Sequence, residues 1–331
     1  MKTWLNLSKQ KQIDLFNQLS ALTGMQAQAI EKDAWVTLML RMLFTSSLKD
    51  VLVFKGGTSL SKAYKLIQRF SEDIDIAINR NYLGFEGELT KGQIRKLRRK
   101  SHDFVSTEMT KILRFQLNNY DIDEKLYNIK VENIKISDQD PEIIQVNYKS
   151  VFQENSYLPK RELIEIGARS LTEPYAEKKI QSIIKENYPQ TEFSETEFIV
   201  KTVIPEKTFL EKLILIHEEL QKDKEKVRHM RMSRHLYDIG QIINTEYGKR
   251  AIKNTQLFNE IIKHRKKFTP IKVVDYDKLA LQTLQIIPKG IFYELYKKDY
   301  KEMQESMIYG ESLNFEDLID KIKQIEEIES R

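Results

Sequence analysis

The chain contains no cysteine, which excludes disulfides and thiolate metal centres alike. Its five histidines, at positions 102, 217, 229, 235 and 264, lack the spacing of a ligand set, so structural zinc is not expected. No stretch approaches the roughly 18 uninterrupted apolar residues of a membrane span. Met1-Lys2-Thr3-Trp4 begins no signal peptide, and the expectation is a soluble cytoplasmic protein with no membrane partner. Internal repeats, low-complexity tracts and flexible linkers are also missing. So is a strong charge of one sign. Lys and Arg number 54 against 49 Asp and Glu, a net charge of +5, and any nucleic-acid footprint must therefore come from local clusters. No Gly-x-x-x-x-Gly-Lys-Ser/Thr occurs, which removes the Walker phosphate loop.

What is present is concentrated between residues 51 and 76. Val51 to Phe54 is a short apolar run that fits a buried strand, and Gly56-Gly57 lets the backbone turn sharply and approach a ligand. Gly57-Thr58-Ser59 then opens a helix whose free N–H groups and positive dipole end favour phosphate, with Lys62 one turn further on. Asp73-Ile74-Asp75-Ile76 follows on a second expected strand. Residues two apart on a strand leave the same face, roughly 7 Å apart at Cα, so Asp73 and Asp75 can share Mg²⁺ while Ile74 and Ile76 pack behind them. A glycine pair alone is usually a turn, and an Asp-x-Asp alone is usually a solvated strand edge. Joined in order within 26 residues, they form the pattern of a nucleotide-phosphate cradle beside a metal-binding pair.

With 331 residues the chain is long enough for two domains. Residues 10–22 and 25–46 carry helical periodicity, and residues 91–118 read as one long helix. Strand-like runs are expected at Tyr127 to Ile136, Glu142 to Tyr148 and Arg161 to Ile166. From Pro205 onward the period is helical, with breaks near Tyr247-Gly248, Pro270 and Pro288-Lys289-Gly290. A boundary near 200 is therefore expected, with a catalytic domain over 1–200 and a helical domain over 201–331. The fold class is α+β, a mixed sheet with flanking helices followed by an all-helical C-terminal domain.

Two-metal phosphoryl transfer needs a third carboxylate to bind one ion and orient the attacking hydroxyl. Glu165, flanked by apolar residues in Leu163-Ile164-Glu165-Ile166, is the candidate, with Asp138, Asp140, Glu142 and Glu154 as competitors. In the helical part Lys212 falls toward an apolar face with Phe209, Leu213 and Ile216, where it must either snorkel or meet an anion. Arg234 and Asp238 are spaced as an i,i+4 surface ion pair, with Arg231 expected on the same side. Two basic clusters stand out. One holds Lys91, Arg95, Lys96, Arg98, Arg99 and Lys100, and the other runs from Lys222 through Arg228, Arg231 and Arg234. Each alone reads as a solvated face, but a pair of them suits an RNA backbone.

The segments Glu31-Lys32-Asp33-Ala34-Trp35-Val36, Phe54-Lys55-Gly56-Gly57-Thr58-Ser59-Leu60, Phe70-Ser71-Glu72-Asp73-Ile74-Asp75, Ile164-Glu165-Ile166-Gly167-Ala168-Arg169, Lys207-Thr208-Phe209-Leu210-Glu211-Lys212 and Arg234-His235-Leu236-Tyr237-Asp238 resemble the AbiEii/AbiGii-type toxin nucleotidyltransferases, within the polymerase-β-like superfamily. The resemblance implies that the glycine turn (Gly56, Gly57, Thr58, Ser59) holds NTP phosphates and that Asp73 and Asp75 bind Mg²⁺; Glu165 as third carboxylate of a two-ion site rests on the strand reading. The resemblance also implies that Lys212 and Asp238, from the helical region, complete the site. A type IV-like toxin encoded beside its antitoxin is implied in turn, adding nucleotides to RNA, with the 3′ end of tRNA as the expected acceptor. The alternatives are a protein or small-molecule hydroxyl as acceptor, or a catalytically silent fold that binds RNA or a partner.

Overall fold

The computed structural model describes residues 3–71, 73–132, 140–153 and 159–327. The chain divides into two compact units, Met1–Ala63 with Ser71–Val203, and Tyr64–Phe70 with Ile204–Arg331. The short segment 64–70 thus belongs with the helical part, although a boundary near 200 would place it in the first domain.

The first unit begins with α1 (Lys9–Thr23), capped by the Ser8 hydroxyl and ended by Gly24 in the left-handed conformation. The next helix, α2 (Ala27–Phe44), has every residue from Ala34 to Phe44 buried, as befits a helix apolar on all sides. After it come β1 (Leu52–Lys55), α3 (Gly56–Lys62) and β2 (Asp73–Ile78). The long helix expected over 91–118 is α4 (Lys91–Phe104) and α5 (Thr110–Asn119), joined without a break by a π-helical turn at Val105–Met109. Strands β3 (Tyr127–Val131), β4 (Glu142–Tyr148) and β5 (Arg161–Gly167) follow. Residues 133–136 of the first expected strand lie outside the described residues.

Two further strands were not expected from the sequence. These are β6 (Tyr175–Ile180) and β7 (Phe198–Val203), separated by α6 (Ile183–Asn187). Among the described residues the sheet has seven strands in the order β3-β4-β5-β2-β1-β7-β6. The β2–β5 and β1–β7 pairs are parallel and the others antiparallel. The strand carrying the Asp-x-Asp pair is therefore internal, and β6 forms one edge.

Side chains on α2 pin the loops around this sheet. Glu31 accepts hydrogen bonds from the Ser150 hydroxyl at 2.5 Å and the Val151 N–H at 2.9 Å. Buried Lys32 pairs with buried Glu162 at 3.3 Å, and Asp33 accepts from the Ile183 N–H at 3.0 Å. The Glu31-Lys32-Asp33 run is thus a scaffold clamp that holds the ends of β4 and β5 and the start of α6.

The second unit is helical. It comprises α7 (Pro205–Leu220), α8 (Ser233–Ile242), α9 (Glu246–Lys253), α10 (Thr255–Phe268), α11 (Ile291–Ser306) and α12 (Phe315–Glu327). Pro205 stands in the first turn of α7, where its missing N–H costs nothing. That helix buries Phe209, Leu210, Leu213, Ile214 and Ile216 and packs on α8, α9 and α10. The break expected near Tyr247-Gly248 is the α8–α9 junction at 243–245, just ahead of those residues. Thr245 caps α9 by accepting from the Gly248 N–H at 3.3 Å, and a Cβ on Gly248 would lie 2.3 Å from the Ile242 carbonyl oxygen. Gly248 therefore marks a close approach of α9 to the end of α8, and not a helix end. Segment 64–70 joins the unit as an extended piece. Phe70 N–H donates to the Met307 carbonyl at 2.7 Å and Tyr309 N–H to the Gln68 carbonyl at 3.0 Å.

Candidate active site

In the first unit the site is built around Gly56. Its φ is +78°, and a Cβ there would lie 1.9 Å from Asp75 Oδ2, so any other residue would expel the Asp75 carboxylate from the turn. The Thr58 hydroxyl donates to the Asp73 carbonyl at 2.5 Å, which ties the start of α3 to the start of β2. Turn and carboxylate strand are one packed object.

The strand register sets the acidic residues. Lys55 on β1, Asp75 on β2, Glu165 on β5 and Ile143 on β4 stand abreast. Asp73, Leu163 and Gln145 form the adjoining row. Partners on neighbouring strands are about 4.8 Å apart at Cα and share a face. Asp73, Asp75 and Glu165 are all partly exposed on this face, while Ile74, Ile76, Ile164 and Ile166 are buried behind it. The Lys55 ammonium lies 3.7 Å from Asp75 Oδ1. Among the described residues no three His, Cys, Asp or Glu side chains converge closely enough to enclose an ion as they stand. What suits a divalent cation here is the donor set, three hard oxygen donors on one open face with the Asp75 carboxylate lodged against a turn free of side chain.

The two described competitors, Glu142 and Asp140, are engaged elsewhere. Glu142 is fully buried on the opposite face, 3.1 Å from His102, and burial raises its carboxyl above the ordinary range despite that imidazole. Asp140 accepts from the backbone N–H groups of Ala168 and Arg169 and pairs with the Arg169 guanidinium. Asp138 and Glu154 lie outside the described residues.

Two residues expected at the phosphates have side chains engaged within the protein. Ser59 is fully buried and its hydroxyl donates to the Gly56 carbonyl at 2.8 Å. The Lys62 ammonium is ion-paired with Asp33. Both follow from the helix: Ser59 sits on the core side of α3, and Lys62 one turn later reaches α2. Lys55, which sequence reasoning passed over, is the cation beside Asp75.

In the second unit Lys212 and Asp238 do come together. Lys212 Nζ is 2.9 Å from Asp238 Oδ2, and Asp238 is fully buried. Of the two alternatives for Lys212, snorkelling or an anion, the structure has the anion, and Asp238 is buried instead of lying in a surface pair with Arg234. A second cation, Arg69, meets the same carboxylate in a two-pronged pair at 2.7 Å for each bond. Lys212 Nζ is also 3.4 Å from His235 Nδ1.

Each group's protonation follows from this packing. Burial would raise the Asp238 carboxyl, but the Arg69 guanidinium and the Lys212 ammonium hold it well below the ordinary range. Desolvation draws the Lys212 ammonium below the usual lysine range, with Asp238 opposing and Arg69 adding to the shift. His235 is held far below its ordinary value by desolvation and by the Lys212 and Arg234 charges. It is therefore neutral near pH 7.

Arg95 and Arg99 are exposed on α4, and Arg98 is partly buried. Arg231 lies outside α8, with φ +59°, and its N–H donates to Asp299 at 2.5 Å. Arg234 is on α8 and partly buried. The second basic cluster is largely compensated: Lys222 and Arg228 share the Glu219 carboxylate, and Lys226 pairs with Asp223. Its net field is smaller than its sequence suggests. Among the described residues no helix is long and apolar enough to cross a membrane.

A family model described as "Nucleotidyl transferase AbiEii toxin, Type IV TA system" matches residues 37–321. No curated protein matches the chain. Among solved structures, it is similar to MenT4, the nucleotidyltransferase toxin Rv2826c from Mycobacterium tuberculosis H37Rv, at 13% identity and a TM-score of 0.46, over 97% of this chain and 99% of that one.

Proposed function

Because the chain belongs to the AbiEii nucleotidyltransferase toxin family of type IV toxin–antitoxin systems, we propose that it transfers a nucleoside monophosphate from an NTP to the hydroxyl of a structured RNA, the 3′ end of tRNA. The observation that carries the reading is the register that sets Glu165 beside Asp75, on the face that Asp73 also shares. Three carboxylates on one face supply the oxygen donors that a two-ion phosphoryl-transfer site would use.

Asp73, Asp75 and Glu165 would hold Mg²⁺, in a two-ion site. When bound, the cation supplies Lewis-acid neutralisation of phosphate charge and acidifies the attacking hydroxyl. The chain's own groups do the rest. Backbone N–H groups of Gly57 and Thr58 receive phosphate oxygens. The acceptor oxygen attacks the α-phosphorus, a P–O bond forms there, the bridge bond to the β-phosphate breaks, and pyrophosphate leaves with the bond pair. Glu165 orients the hydroxyl and receives its proton. Lys212, the helical-region lysine of the family pattern, balances charge on the departing phosphates, and Asp238 positions it. Arg69, which contacts Asp238, is only four residues ahead of Asp73 in the chain.

RNA as acceptor is supported by the exposed arginines of α4, whose charge is favoured beside a phosphate backbone. The cognate antitoxin is the partner that the family implies. Incubation with each α-labelled NTP, Mg²⁺ and cell extract tests the reading. Label that enters RNA and is released by ribonuclease supports it. Label that enters protein and resists ribonuclease moves the acceptor to a side-chain hydroxyl.

A further inference from the structure

Asp238 accepts from two cations at once. Arg69 takes both carboxylate oxygens, through Nε to Oδ1 and Nη2 to Oδ2, each at 2.7 Å. Lys212 adds a third contact at 2.9 Å. Arg69 is 3% exposed and Asp238 0%, so neither charge is screened by water. A planar guanidinium on both oxygens is the strongest pairing a carboxylate makes, and it largely satisfies the anion by itself. Arg69, Lys212 and Asp238 together carry one net positive charge, His235 is neutral, and Arg234 lies near enough to push the Lys212 ammonium further down. Without Arg69 the three would become a neutral lysine–aspartate pair.

We infer that Arg69 is a positioning residue which neutralises Asp238 and so leaves the Lys212 ammonium available to the triphosphate of an incoming NTP. Its location supports this role. Arg69 sits in segment 64–70, which follows α3 and precedes β2 in sequence yet packs within the helical unit. The neighbouring Gln68 N–H donates to the Tyr237 hydroxyl at 3.2 Å, one residue from Asp238, so the segment is fixed on α8 at two adjacent points. The inference rests on Lys212 acting on the triphosphate, as proposed above.

The test uses the full chain and reads KM for NTP, kcat and melting temperature. Arg69→Gln is expected to raise KM about 10-fold or more, because the remaining Lys212–Asp238 pair is neutral. Arg69→Lys keeps the charge but loses the two-pronged geometry, so its KM should fall between those of Arg69→Gln and wild type. The decisive variant is Arg69→Gln combined with Asp238→Asn. It restores one net positive charge on Lys212 and leaves no buried carboxylate short of a partner, so its KM should fall back toward wild type even if kcat stays low. A merely structural role for Arg69 would lower the melting temperature in Arg69→Gln without this recovery of KM in the double variant, and that result overturns the inference. If Lys212→Ala raises KM while Arg69→Gln does not, the inference fails and the assignment of Lys212 stands. A wild-type KM in Lys212→Ala removes that assignment and the inference together.

Discussion

Asp75 and Glu165 are register partners on neighbouring parallel strands, and both project from the face of the sheet opposite Ile76 and Ile166. Carboxylates on adjacent strands repel when brought together bare and cooperate when a divalent cation lies between them. Mg²⁺ is therefore expected to raise the melting temperature of the wild-type protein in a concentration-dependent way, and chelation should abolish transfer. Glu165→Gln, which keeps the shape and removes the charge, should lose most of both effects. A Glu165→Gln protein that transfers nucleotides normally and responds to Mg²⁺ as wild type does would assign the third carboxylate elsewhere.

Gly56 makes two demands on its position, a left-handed φ and an empty Cβ site against Asp75. Gly56→Ala should cost about 1–2 kcal/mol in backbone strain and also displace the Asp75 carboxylate, lowering transfer at least about 10-fold. Gly84→Ala is the control, since Gly84 has φ +84° with nothing within 4 Å of a Cβ. It should show the strain with transfer intact. Equal activity loss in both variants would mean that strain alone is responsible.

The neutral state of His235 predicts a pH dependence of stability. Its folded value lies far below the ordinary one, so below about pH 6.5 the unfolded chain takes up a proton that the folded chain refuses. Stability is thus full above that pH and falls below it, by up to about 1.4 kcal/mol per pH unit for this group. Glu31, Glu142 and Glu195 have raised values and pull in the opposite direction at lower pH. The comparison that isolates His235 is denaturation of wild type against His235→Asn at pH 7.5 and 5.5. The variant should lose less stability between the two, and identical losses would contradict the assignment.

If exposed Arg95 and Arg99 and partly buried Arg98 contact an RNA backbone, Arg95→Gln, Arg98→Gln and Arg99→Gln together should weaken RNA labelling and flatten its dependence on salt by roughly 0.7–0.9 in log–log slope per lost phosphate contact. KM for NTP should not change. An unaltered salt slope would mean that α4 is an ordinary solvated face.

The strand-turn-helix-strand core was legible because its signals are local. Apolar runs, a glycine pair and an alternating Asp-x-Asp each dictate their own conformation within a few residues. β6 was not legible, since Tyr175-Ala176-Glu177-Lys178-Lys179 is an edge strand with little apolar alternation. Phe198-Ile199-Val200 carried a readable β-branched signal that the nearby Pro205 helix start overshadowed. The i,i+4 rule offered Arg234 as the partner of Asp238, but the bidentate partner is Arg69, 169 positions away in sequence. No local pattern reports a contact of that kind. The partners of Ser59 and Lys62 were not legible for a related reason: which side of a short helix faces the core is set by the elements packed on it.

The most direct measurement is transfer from α-labelled NTP by Asp73→Asn and Asp75→Asn, read beside their melting temperatures. Both residues are partly exposed on the open face and contribute little packing, so each variant should melt close to wild type while transfer drops on the order of 10³-fold or more. Near-wild-type transfer by both variants would contradict the placement of the catalytic centre on this strand.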